Sequence, residues 1–190
     1  MALAAAVPLR AGAQGMVQGA VTLQGQPLAG VVIRLFPVEE SVFPDVEDTA
    51  LIDQRNLRFI PGVLAVRPGT TLDFHNSDQI MHNVFSPQRR GAGFDLGTYP
   101  QDESRSFTFA EPGIYVVLCH VHPEMVAWIV VTPTPYHAVT DANGRFRIEG
   151  IRPGSYRMQT WHQRGVEDER LIEIAQGNLA SVDIELRSHN

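Results

Sequence analysis

Hydrophobic and polar positions alternate with period two along almost the whole chain, and helical spacing is nearly absent, so the pattern predicts strands throughout and an all-β protein. The stretch "VQGAVTL" sets Val17, Gly19, Val21 and Leu23 against polar neighbours, turns at Gly25 and returns as "GVVIRLF"; an N-terminal hairpin is expected. From "LRFIPGVLAVRPGTTLDFHNSD" to "AWIVVTP" short strands follow one another with a turn about every 8 to 12 residues, the pattern of a sandwich or barrel. Pro68-Gly69 and Pro112-Gly113 supply two of the turns. Beyond Pro133 and Pro135 the texture repeats. "HAVTDANGRFRIEGI" carries Asn143-Gly144, the strongest short hairpin signal, and "RPGSYRMQTWH" and "RLIEIAQGNLASVDIELR" add three more strands with a last turn at Gly177-Asn178.

The C-terminal piece has about five strands, thin for an independent two-layer core, and the N-terminal hairpin lacks partners of its own. Joining them completes one sandwich, residues 16–46 with 133–188, interrupted by a central domain at 47–132. The acidic, proline-punctuated "PVEESVFPDVEDTALID", with Glu39, Glu40, Asp45, Glu47, Asp48 and Asp53, reads as a solvated linker. The opening "MALAAAVPLRAGAQG" ends in an A-x-A pattern, Ala11-Gly12-Ala13, so residues 1–15 read as the remnant of an export signal or a floppy terminus. Export, to a bacterial periplasm, is the expectation.

Composition changes little in this picture. Apolar residues make up 44% and charged residues 19%, with a formal charge of −6 and no long single-sign block, which argues against nucleic acid and anionic membrane surfaces as partners. All 15 basic residues are arginine. The longest apolar runs fall far short of the roughly 20 residues that span a bilayer as a helix. One cysteine excludes an internal disulfide and leaves a lone thiol to be accounted for.

That cysteine lies in "VVLCHVHPEMVAW", residues 117–129, with His120, His122 and Met125 close by. The spacing Cys119-x-x-His122-x-x-Met125 lets one loop between two strands present a thiolate, an imidazole and a thioether to one point. Thiolate and thioether favour copper(I), imidazole suits both copper states, and a trigonal His₂Cys set with a weak axial Met marks a blue-copper electron-transfer centre. Such a set needs a second histidine, and His82 in "DQIMHNVFS" is the candidate. Its flank, Asn83, can reach across to the cysteine loop, while a buried hydrophobe and a core filler are the plainer roles for Cys119 and Met125.

"FIPGVLAVRPGTTLDFHNSDQIMHNVFS", a following "FDLG" and "FAEPGIYVVLCHVHPEMVAWIVV" resemble the cupredoxins, in the order of strand, Pro-Gly turn, Asn-x-Asp, ligand histidine and ligand loop. The short ligand loop is similar to that of amicyanin, and the flanks to a methylamine-utilisation-type carrier. The resemblance implies a Greek-key β-sandwich that holds one type 1 copper ion through His82, Cys119, His122 and Met125. It implies an electron carrier rather than an enzyme, serving redox proteins such as a cytochrome c or a periplasmic dehydrogenase. Met81, Pro123 and Val126 would form a small apolar docking patch. "GAVTLQGQPLAGVVIRLFP" and "AVTDANGRFRIEGIRPGSYRMQTWH" resemble the carboxypeptidase regulatory-like domain, a transthyretin-type β-sandwich, which implies scaffolding or docking.

Among the remaining residues, side-chain alternation turns His120 away from a metal held by Cys119, to the surface or to a supporting contact. Ser86 and Pro123 are further candidates for the surroundings of the metal, and Pro123 has no N–H to give the thiolate. His75 is expected on a sheet surface, and His137, His162 and Trp161 in the outer sandwich. Two rival functions stay open: a copper delivery protein with an exchangeable site, and a scaffold with no metal.

Overall fold

The computed structural model describes residues 14–87 and 93–187. Among them there are strands and no helix. The leader reading falls on residues 1–13, outside the described residues, and on Gln14 and Gly15, of which Gly15 opens the first strand.

The chain runs through β1 (Gly15–Leu23), β2 (Gln26–Pro27) and β3 (Val32–Pro37) before crossing into the central region. There it forms β4 (Thr49–Gln54), β5 (Phe59–Ile60), β6 (Val63–Val66), β7 (Thr70–Asn76), β8 (His82–Ser86), β9 (Phe94–Tyr99), β10 (Ser104–Phe109), β11 (Gly113–Leu118) and β12 (Val126–Val131). It returns as β13 (His137–Val139), β14 (Arg145–Ile151), β15 (Gly154–Trp161), β16 (Glu167–Ile174), β17 (Leu179–Ser181) and β18 (Ile184–Leu186).

The central strands make two facing sheets, ordered β10-β7-β4-β5 and β6-β12-β11-β8-β9. β4 runs parallel to β7 and β6 parallel to β12, so the connections cross from sheet to sheet as in a Greek key. Their inward residues, among them Ile52, Leu72, Phe74, Val84, Val117 and Ile129, close one core. β4 corrects the linker reading at its end: Ile52 and Gln54 are buried while Thr49 and Leu51 face out. The alternation of a strand runs underneath the acidic residues there. The rest of the linker is pinned, because Arg67 donates to the Pro44 carbonyl and the Val46 N–H to the Pro68 carbonyl.

The flanking strands make a second pair of sheets. β1 pairs with β14, β17, β18 and β2, and the other sheet is ordered β13-β3-β15-β16. Val17, Val21, Ile33, Leu35, Ile148 and Met158 lie in one core built from both ends of the chain. The chain does turn back at Gly25, where β1 pairs antiparallel with the short β2 through Leu23 and Gln26, but β1 and β3 lie in facing sheets, as do β13 and β14, so neither expected pairing of the longer strands forms. Two alternating runs bury their apolar faces equally well side by side in one sheet or opposite each other across a core, and the period cannot separate the two. A third, smaller cluster joins the sandwiches: Val32 and Trp161 from one, Val130, Val63, Ala65 and Trp128 from the other, with the Trp128 and Trp161 rings 5.5 Å apart.

Candidate metal centre

β11 and β12 are antiparallel neighbours, and the loop between them carries Cys119, His122 and Met125. The loop folds back on itself, since the Met125 N–H donates to the His122 carbonyl at 3.0 Å. β8 lies against β11 through Leu118 and Phe85, which brings His82, at the start of β8, up to the loop. The donor atoms of His82, Cys119 and His122 all lie within 4.8 Å of one another. Nδ1 of His82 is 3.1 Å from Nδ1 of His122, and the Cys119 Sγ is 3.9 Å from that same His122 atom.

Two of these separations, 3.1 and 3.9 Å, match donors on one ion, and the 4.8 Å span has to close for all three to share it. With metal–nitrogen and metal–sulfur bonds of about 2.0 and 2.3 Å, ligand angles of roughly 100–130° place the donors about 3.1–3.9 Å apart. The tautomer of His82 fits as well. Its Nε2 lies 2.9 Å from the Asp78 carboxylate, an acceptor only, so Nε2 bears the hydrogen and Nδ1 presents its lone pair toward His122. Asp78 is itself held by the N–H groups of Asn56 and Leu57. Burial opposes its ionisation, but the Leu57, His82 and Asn56 hydrogen bonds outweigh it and keep the carboxyl below the usual range.

His82 is fully buried, Cys119 and Met125 are buried, and His122 is half-buried. The Asn83 N–H donates to the Cys119 sulfur at 3.4 Å, and the Asn83 Oδ1 accepts from the His120 N–H at 3.4 Å. The asparagine therefore ties the segments of His82 and Cys119 together. His120 is exposed and turned away. Its ring stacks on Phe85 with centroids 3.6 Å apart, as alternation around Cys119 requires. Pro123 is exposed, and Ser86 is buried on β8 without a hydrogen bond to the ligand residues. His75 faces Ser104 across β10, and His162 is buried, its Nδ1 accepting from the Arg164 N–H. His137 bonds the Thr134 carbonyl.

Two acidic residues at the centre escaped the sequence reading. Asp78 was visible only as the end of an Asn-x-Asp turn, although it stands four residues before His82. Asp95, in "FDLG", accepts from the Asn83 Nδ2 at 2.8 Å, and nothing in its local sequence says so.

Fold and site together define a copper-binding β-sandwich, with His82, Cys119 and His122 arranged as a type 1 copper-like site. Residues 46–132 match the family model of copper binding proteins, plastocyanin/azurin family, and are a cupredoxin domain. Residues 131–182 match the model for polysaccharide lyase family 4, domain II. Similar solved structures include a novel purple cupredoxin from Nitrosopumilus maritimus, at 24% identity over 44% of this chain and 99% of that one, with a TM-score of 0.40. An oxidised amicyanin mutant is similar at 22% identity over 53% of this chain and 98% of that one, TM-score 0.43. A Cu(I) amicyanin mutant is similar at 25%, 53% and 98%, TM-score 0.42. No curated protein matches the chain.

Proposed function

We propose that the protein is an exported type 1 (blue) copper protein that carries single electrons between redox proteins, with Met125 as the axial fourth ligand beside His82, Cys119 and His122. The observation that carries the reading is the convergence of two imidazole nitrogens and one thiol within 4.8 Å, with the far nitrogen of His82 already engaged by Asp78. Copper, when bound, supplies a one-electron couple.

The residues supply the rest. Asp78 fixes the His82 ring, and the Asn83 N–H moderates the charge on the Cys119 sulfur. Met125 is wholly buried and offers a soft thioether from the core side. His122 leads from the metal toward the surface. Around it Met81, Val121 and Val126 are exposed apolar side chains and Pro123 is exposed, a surface suited to small, short-lived redox encounters. A cytochrome c or a periplasmic dehydrogenase is the kind of partner that fits. The outer sandwich, read as carboxypeptidase regulatory-like over 16–46 and 133–188, acts as scaffold.

Addition of copper(II) tests the proposal. An intense visible thiolate-to-copper band that survives a chelator is expected, and Cys119→Ser abolishes it. A colourless or readily stripped complex would instead indicate copper delivery, and absence of binding a scaffold.

A further inference from the structure

β8 and β9 are antiparallel, but their register slips between Asn83 and Phe85: Asn83 pairs with Thr98, whereas Phe85 pairs with Asp95. β9 thus carries an extra residue, a β-bulge that includes Gly97 at φ +72°, a left-handed conformation natural to glycine. Bulges re-aim side chains, and this one turns Asp95 across the strand. One Asp95 oxygen accepts from the Gly97 N–H at 2.9 Å and from the Asn83 Nδ2 at 2.8 Å. The other oxygen lies 3.6 Å from the His120 Nε2. The Gly97 and Asn83 N–H groups, with His120 beside them, hold this carboxyl below its usual range.

An ionised carboxylate accepts and cannot donate. Asp95 therefore fixes which way the Asn83 amide points: nitrogen toward Asp95, oxygen toward the His120 N–H. With the amide locked, the Asn83 backbone N–H stays on the Cys119 sulfur at 3.4 Å. Asp95 also holds the His120 ring at its outer edge while Phe85 stacks on its face. One exposed carboxylate thus braces both residues that flank the ligands, Asn83 after His82 and His120 after Cys119.

We propose that Asp95 is a positioning residue of the metal centre, keeping the Asn83 N–H on the thiolate sulfur and the surplus imidazole of His120 away from the ion. It touches no ligand atom. The proposal rests on the type 1 reading for its effect on copper, but the geometry it describes exists without metal.

The test compares wild type, Asp95→Ala and Asp95→Asn in two states. In the metal-free protein, amide hydrogen exchange at Asn83 is followed by NMR. Loss of one charge-assisted hydrogen bond in Asp95→Ala should speed it about tenfold, while Asp95→Asn, which keeps an oxygen acceptor, stays near wild type. In the copper-loaded protein, Asp95→Ala should shift the visible band and lower the reduction potential, because a thiolate with a weakened N–H bond donates more strongly and favours the oxidised ion. A melting temperature that falls in Asp95→Ala with exchange at Asn83 unchanged would overturn the proposal. If wild type gives no thiolate band, the copper reading fails, and the exchange comparison alone decides this one.

Discussion

The two ring nitrogens of His82 do separate work: Nε2 is held by Asp78 and Nδ1 faces the other donors. Removing a partner of this kind typically weakens metal binding 10–100-fold. Asp78→Ala should therefore lower copper affinity by about that factor in a chelator competition; unchanged affinity would show that packing alone orients the ring. Two histidines far from the metal predict a pH effect. Burial depresses the pKa of His137, against hydrogen bonds to the Thr134 and Ala65 carbonyls, and likewise that of His162. The unfolded chain then binds protons that the folded chain does not, so stability is full above the ordinary histidine value of about 6.5 and declines as pH falls through it. Metal-free protein should melt lower at about pH 5.5 than at about pH 7.5, and His137→Gln should flatten that difference. The cluster of His82, Cys119 and His122 was legible in the sequence because donor chemistry and loop spacing are local. Asp78 and Asp95 were not, because a turn in one case and a bulge in the other bring them to His82 and Asn83.

At the scale of the element, alternation predicted most of the strands but not their neighbours. "VQGAVTL" and "GVVIRLF" became β1 and β3 of opposing sheets, because their apolar residues meet across a core rather than along a ladder. The stretch "TALIDQ" hid a strand behind its acidic flank, paired parallel to β7. Turn positions were more reliable. Gly69, at the expected Pro-Gly turn, has φ +93°, and a Cβ there would lie 2.1 Å from the Val46 carbonyl oxygen. Gly69→Ala should cost about 1–3 kcal/mol in denaturant unfolding. Gly25→Ala, at φ +71° with nothing within 4 Å, should cost less, and equal costs would contradict the steric account.

For the whole molecule, two cores are stitched by a third cluster in which Trp161 packs against Val32, Val130 and Trp128. Truncation of a buried tryptophan costs about 3–5 kcal/mol, and here much of the lost contact is between sandwiches. Wild type should melt in one calorimetric transition and Trp161→Ala in two; a single transition in both would show that the sandwiches are coupled elsewhere. The central claim concerns the metal centre held by this frame: that one arrangement of His82, Cys119, His122 and Met125 serves both oxidation states. It is tested most directly by an optical redox titration of the copper-loaded protein. The account predicts a reversible one-electron curve in which the thiolate band bleaches and returns in full over repeated cycles. Loss of copper on reduction, or a band that fails to return, would contradict it.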